Sequence, residues 1–490
     1  MNTRIKSNVY GLVMILALLP SCCGAQTILS GNISGTWQPS GNPYIISANA
    51  TVPNGQTLTI QPGVTVWIAQ GISITVNGGI QAVGTSLQHI TFQAPISSQY
   101  WNTLSVNNGL TNLFSYCDFA NATNSLAFVG TSSNQVNYCT FTNAMGTALT
   151  FNNQSSNEVL FSTFQNVNNG IGMVVNGDWT HLTLRANIMN CSFSNCWGQA
   201  VSGAANAGVL SATNICAIEN CSFNAVGSGC SFNVSDNSGF ATANLQIQNN
   251  IFDKVTNTAI SLTSSYGAVG QATLINNIIL SANNGVISQD RWDATVMDNV
   301  IMGCTNAITD TGSLSRNVEY NDFFHNATNF IGYTSDYGTV VFVNHNGTPC
   351  DLLFNIYQNP LFIATNDFTL QTNSPCIDAG TPNVAYMDMS FPPSQGTGLP
   401  DLGICGGPLA VNWLPVIPSA PAPILLSASR AIRLSCTDVL ERGSYQIQSS
   451  THWTNWTDYG SPFYITTTSN FVQYVDATNR AEFFRLQSLP

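Results

Sequence analysis

The sequence predicts an all-β protein whose main body is a parallel β-helix. Three observations carry this: one short phrase recurs at intervals of a single coil, apolar and polar residues alternate in short runs between its copies, and no apolar run there has helical spacing. The phrase is Cys117-Asp118-Phe119, Cys139-Thr140-Phe141, Ser162-Thr163-Phe164, Cys191-Ser192-Phe193 and Cys221-Ser222-Phe223. It continues with Asn in the first place, as Asn250-Ile251-Phe252, Asn277-Ile278-Ile279, Asn299-Val300-Ile301 and Asn321-Asp322-Phe323. The apolar anchors are 22, 23, 29, 30, 29, 27, 22 and 22 residues apart, which describes a constant unit into which extra residues are inserted. Runs such as Ala148-Leu149-Thr150-Phe151 and Ala259-Ile260-Ser261-Leu262 make each unit two or three short strands. A coil of that size cannot bury its own apolar side chains; stacked on its neighbours it shares a continuous core.

The chain opens with a targeting segment, residues 1–25. Arg4 and Lys6 precede the apolar run Val9 to Leu19, too short to span a bilayer, and Cys23-Gly24-Ala25 supplies a small-residue exit. Cleavage after Ala25 gives a secreted protein. A competing reading takes Leu19-Pro20-Ser21 as a lipoprotein box and anchors the protein to a membrane through an acylated Cys22. No later stretch is long enough to span a membrane.

Entry coils are expected over 26–103. Val52 to Val66 reads as two alternating strands punctuated by Asn54-Gly55 and Pro62-Gly63, and Gly71 to Val76 and Gly79 to Val83 repeat the theme. The anchored coils occupy 104–345, and a closing segment follows over 346–408. It contains Asp367-Phe368-Thr369-Leu370-Gln371, Ser374-Pro375-Cys376-Ile377-Asp378-Ala379-Gly380 and Asp401-Leu402-Gly403-Ile404-Cys405-Gly406-Gly407. Pro415, Pro418, Pro421 and Pro423 mark a stiff linker, 409–423. Residues 424–490 then read as a small antiparallel β module, with strands at Ile432 to Cys436, Tyr445 to Ser450, Phe471 to Val475 and Phe483 to Leu486.

The Val52 to Val66 phrase, followed by Gly79-Ile80-Gln81-Ala82-Val83-Gly84-Thr85, resembles the N-terminal coils of secreted bacterial right-handed parallel β-helix proteins of the pectate-lyase-like superfamily. The 367–407 phrases are similar to the ending common to those proteins. That resemblance implies a right-handed β-helix in which Asp378 and Asp401 are structural turn residues. The Asp-Gly-Arg phrase usual between them is replaced here by Met387-Asp388-Met389, which implies a differently shaped end. The C-terminal module resembles a short β module appended to large secreted proteins of environmental bacteria, and no catalytic residue carries over from it.

Composition limits the function classes. Charged residues make up only 7% and hydrophobic residues 44% of the 490, which fits stacked strands with Asn and Gly turns and excludes a disordered chain. A net charge of -12 and a pI near 4.5 argue against nucleic acid, whose binding needs a dense positive footprint. The same charge repels polyuronates unless a cation bridges. Removing the signal, with Cys22 and Cys23, leaves 12 of the 14 cysteines in a compartment that permits disulfides. Cys117, Cys139, Cys191 and Cys221 share one place in the repeat, so a ladder of buried thiols explains them as well as bridges do. None has metal-site spacing.

The long spacings between Phe164 and Ile279 should place added loops along one side and form a groove wall. Those loops and the next hold Asp178-Trp179, Asp236 to Phe240, Tyr266 and Asp290-Arg291-Trp292-Asp293. Trp179, Phe240, Tyr266 and Trp292 are candidate carbohydrate-binding residues, provided their rings face solvent in one row. Asp290, Arg291, Asp293 and Asp236 are candidate catalytic residues: a glycosidase needs two carboxyls roughly 5–9.5 Å apart, and a lyase needs a base, Arg291 or Lys254, with a Ca2+ ion to neutralise a uronate. The bland reading of the same residues is that each ring covers its own loop and each Asp forms a turn. His325 reads as an exposed turn residue. No metal ligand set is identified. The expectation is therefore a monomeric, secreted or surface-displayed β-helix protein that binds an extracellular polysaccharide or cell-surface glycan, or is adhesive, without a catalytic signature. The alternative is a polysaccharide lyase or glycoside hydrolase working in the groove.

Overall fold

The computed structural model describes residues 26–410, except 108–109, 178–179, 209, 237–239 and 313–314, and the strands of the C-terminal module between 431 and 489. Residues 1–25, the expected signal segment with Cys22, and residues 411–430, which include most of the expected 409–423 linker, lie outside the described residues. The chain divides into two compact units at Leu414/Pro415.

The first unit is a parallel β-solenoid. Each coil contributes one strand to each of three parallel sheets. The anchor sheet runs from Thr65–Ile68 to Asp322–Phe324 and carries the recurring phrase. The second sheet runs from Ile74–Val76 to Thr328–Ile331, and the third has 12 strands from Gly35–Trp37 to Ser315–Glu319. Tyr44–Val52 is long enough to serve two sheets, pairing Tyr44 to Ile46 with the anchor sheet and Ala50 to Val52 with the second. Two 3-10 turns, Pro39–Gly41 and Val384–Tyr386, complete the elements outside the sheets.

Alternation decides which residues enter the core. In Cys139-Thr140-Phe141 the first and third are buried and the middle one faces outward, and the same holds in every copy down to Ser222. Because the coils are in register, the third residues stack: Phe92, Phe119, Phe141, Phe164, Phe193, Phe223 and Phe252 lie with ring centroids 4.5–4.9 Å apart and planes within 8°.

The first residue of the phrase has a different task. The residue before it adopts positive φ in every copy of the phrase, as at Tyr116, Tyr138, Asn190, Asn249 and Asp298, so the chain turns sharply into the anchor strand. A short inward donor then reaches carbonyls at the end of the third-sheet strands. Cys139 Sγ donates toward Phe114 O and Asn137 O at 3.6 and 3.4 Å; Ser162 Oγ donates to Val136 O and Leu160 O at 3.2 and 3.0 Å. Asn299 Nδ2 reaches Leu274 O and Met297 O at 2.9 and 2.7 Å. From Asn250 to Asn355 the amides also bond one another, each Nδ2 donating to the next Oδ1 at 2.9–3.1 Å, while that Oδ1 accepts the preceding backbone N–H. All 11 described cysteines are buried free thiols, so the ladder, and not a set of bridges, occupies these positions.

The closing segment folds back along the outside of the anchor sheet. There the middle residue of the phrase changes from Thr and Ser to Ile251, Ile278 and Val300, which pack with Leu370, Cys376, Leu402, Ile404 and Cys405. Asn249 and Asn276, on the outside of the corner, donate to Ile404 O, Gly406 O, Asp401 O and Gly403 O.

In the second unit, Ala431–Cys436 pairs antiparallel with Phe471–Asp476, and Gly443–Ser450 pairs with both Thr457–Ile465 and Phe483–Leu489. The four strands expected from the sequence are present, and Thr457–Ile465 is a fifth.

Removing one rung should show what the ladder is worth. Asn299→Ala is expected to lower the unfolding free energy by about 2–3 kcal/mol, because it removes two hydrogen bonds to carbonyls and leaves the Asn277 N–H without its acceptor. Cys139→Ser should stay within about 1 kcal/mol of the parent, since Ser162 already fills the same place. Urea unfolding followed by tryptophan fluorescence measures both.

Candidate functional site

The extra residues of the middle coils lengthen strands more than they build loops. Between the coil of Thr147–Asn152 and Ser155–Leu160 and that of Asn169–Gly177 and Leu182–Met189, the second-sheet strand grows from 6 to 9 residues and the third-sheet strand from 6 to 8. The loop between them grows only from two residues to four. The expected groove wall is therefore largely a widening of two sheets.

The expected site residues scatter accordingly. Phe240 and Tyr266 are 62% and 78% exposed at this edge, whereas Trp292 is 0% exposed; Asp178 and Trp179 lie outside the described residues. Trp292 starts the strand Trp292–Met297 and points inward with Ala294 and Val296, filling space left by Gly270, where a Cβ would come within 2.4 Å of the ring. The row of four solvent-facing rings is thus broken at Trp292. Asp236 is 2% exposed and its Oδ2 accepts the Ala241 N–H at 3.3 Å, capping its loop. Asp290 is an exposed corner residue with φ 60°, its N–H donating to Thr311 O. Arg291 is exposed, its backbone N–H on Ser264 Oγ. Asp293 faces outward on the third sheet beside Gln271. These four do not share a face: Asp236 lies under the surface two coils from Asp290. Lys254 pairs with its neighbour Asp253, and His325 is exposed at a positive-φ corner.

Carboxyls do gather elsewhere, under the closing segment. Asp401 accepts the N–H groups of Asp378 and Gln395, Asp388 accepts those of Gly407 and Asp401, Asp298 Oδ1 accepts that of Thr381, and Asp322 accepts that of Gln358. Burial pushes Asp388 up to about 7 and Asp401 and Asp322 up to about 8, with neighbouring carboxyls adding to the shift at Asp388 and Asp401; burial also raises Asp298 well above the carboxylate range. They tie the segment down. Among the described residues no group of three or more His, Cys, Asp or Glu is arranged to hold a metal ion, and no helix is long and apolar enough to cross a membrane.

Among the described residues, a feature with the shape of a binding site lies on the outer face of the widened third sheet. A hollow of about 310 Å³ is bordered by Ser156, Arg185, Asn187, Asn244 and Gln246 and floored by Ile215 and Ala217. Register produces it. Ser156, Arg185, Ile215 and Asn244 face one another along successive coils, as do Asn187, Ala217 and Gln246, so the short Ala217 between two long amides makes the depression. Ser156, Arg185, Asn244 and Gln246 are exposed, and among the described residues the Arg185 guanidinium has no ion-pair partner. The sequence signal for this site is the lengthened spacing; the residues themselves sit on the lengthened strands and not in the loops between them. A comparison with protein-family models gives no match, and neither does one with curated proteins.

The buried carboxyls make stability depend on pH in a definite direction. A carboxyl whose folded pKa is raised stabilises the fold fully below its ordinary range, near 4, and loses that contribution as pH climbs through the raised value. The thermal midpoint should therefore fall between pH 5 and pH 9. Asp298→Asn, which keeps the Oδ1 acceptor and places a neutral group at the otherwise unpartnered Oδ2, should flatten that slope; calorimetric scans across the range read it.

Proposed function

We propose that the protein is exported and binds an extracellular glycan without chemically altering it, using the outer face of the third sheet. The observation that supports this reading is the hollow itself, with an apolar floor and an amide and guanidinium rim. A sugar ring presents C–H groups on its faces and hydroxyls at its edge. Ile215 and Ala217 suit the former, and the side chains of Asn187, Asn244, Gln246 and Arg185, which together donate and accept, suit the latter. The solenoid holds these groups on paired strands, so they are positioned before the ligand arrives and little ordering opposes binding. Export is supported by the N-terminal segment.

The test uses the secreted chain against a panel of plant, algal and microbial polysaccharides, with and without calcium, reading bound protein, reducing ends and unsaturated products. Binding without turnover is expected. Ala217→Trp, which fills the hollow from an outward position, should weaken binding at least about tenfold while leaving the thermal midpoint within about 2 °C. Turnover abolished by Asp290→Ala or Arg291→Ala would overturn the binding reading in favour of a lyase or hydrolase. Binding indifferent to Ala217→Trp would place the site elsewhere.

A further inference from the structure

We infer that the ligand of this face is a neutral, unbranched polysaccharide lying along the solenoid axis over several coils, an inference that rests on the glycan-binding reading above. Direction follows from the spacing of groups. The row Ser156, Arg185, Ile215, Asn244, Gln271 crosses five coils in register, about 19 Å at the strand spacing, and Gln271 is as exposed as Asn244. A second row, Asn187, Ala217, Gln246, Thr273, runs beside it. Across the strands the hollow is only these two rows wide, its lining running from Arg185 to Asn187 and from Ile215 to Ala217, while along the axis it reaches over four coils from Ser156 to Asn244. An extended polymer seated in the hollow therefore lies along the axis, where hydrogen-bonding groups repeat at every coil but the one that supplies the apolar floor.

Charge selects the class. The rim of the hollow contains Arg185 and no carboxylate, so a cationic sugar placed on Ile215 and Ala217 meets a fixed positive charge. The surround is acidic: Glu158 lies opposite Asn187, Glu219 is two residues beyond Ala217, and Asp293 lies opposite Gln271. A chain with a negative charge on each residue would bring several of those charges against them, in a protein already at -12. A ligand of hydroxyls avoids both penalties. Amides suit it because each offers a donor and an acceptor to a group that is itself both.

Titration calorimetry with neutral cello-, xylo- and manno-oligosaccharides of two to eight units, oligogalacturonates and chitosan oligomers tests this directly. At least one neutral series should gain affinity with each added unit up to four or five and then level off, and should bind about tenfold or more tighter than either charged series. Gln271→Ala should weaken the six-unit oligomer several-fold and leave the two-unit oligomer unchanged, with the thermal midpoint as the check on folding. Tighter binding of a charged series would overturn the neutral class while leaving glycan binding standing. Affinity that levels off at two units would overturn the axial, multi-coil footprint. If no oligosaccharide or polysaccharide binds at all, the parent reading fails, and this one with it.

Discussion

The solenoid depends on one local problem solved in every coil: a positive-φ corner turns the chain into the anchor strand and has to be tied to the neighbouring coils from inside the core. A buried polar group left without a partner costs on the order of 1–3 kcal/mol, and a stack of coils multiplies that cost. The inward residue just after the corner must therefore be short enough to fit and able to hydrogen-bond. Cys, Ser and Asn meet both conditions. Their interchange at one place in the repeat is a chemical equivalence, with Cys139 Sγ, Ser162 Oγ and Asn299 Nδ2 all directed at the carbonyls of the strand below.

The three solutions are not equal in what else they do. A hydroxyl or thiol can accept the backbone N–H of its neighbour, as Ser162 does from Cys139 and Cys221 from Cys191, whereas Asn accepts the neighbour's side-chain amide as well, so Asn250 to Asn355 form a connected polar chain. The change from Cys221 to Asn250 falls where the outer face changes as well, from Ser222 to Ile251, and where the stacked rings give way after Phe252 to Ile279 and Ile301. Coils covered by the closing segment are thus held from inside by amides and from outside by an apolar contact, while uncovered coils rely on stacked rings and thiols. Two ways of building the same coil meet at one point along the axis.

Most of this architecture was legible because a solenoid repeats its solution until the pattern shows in the chain. The position of the closing segment was legible too, in the middle residue of the phrase, whose shift from Asp118, Thr140 and Ser192 to Ile251, Ile278 and Val300 marks where solvent is replaced by protein. Parity, and not distance from the anchor, decides the placement of Trp292: alternation through Trp292, Ala294 and Val296 sends all three inward and sends Asp293 outward. The hollow left no motif because it is made by the absence of a side chain. Ala217 is ordinary in sequence, and only the register that sets it between Asn187 and Gln246 gives it meaning.

Scarce charge is divided between two jobs, and the division shapes the exposed surface. Asp298, Asp322, Asp388 and Asp401 sit under or within the closing segment, where their oxygens receive backbone N–H groups. Burial there favours the protonated form, so these carboxyls act as neutral hydrogen-bonding hardware over much of the pH range. Committing them to that role leaves the broad outer sheets mainly to small and uncharged polar residues, as in the row Thr150, Gly172, Ser202, Ser231 and Ser261 on the second sheet and the amides on the third. A surface of that kind discriminates by shape and by the match of donors to acceptors, because it has little field with which to attract or steer a charged partner. Recognition on this scaffold follows from geometry repeated at the strand spacing, which is the same periodicity that the buried ladder enforces from within.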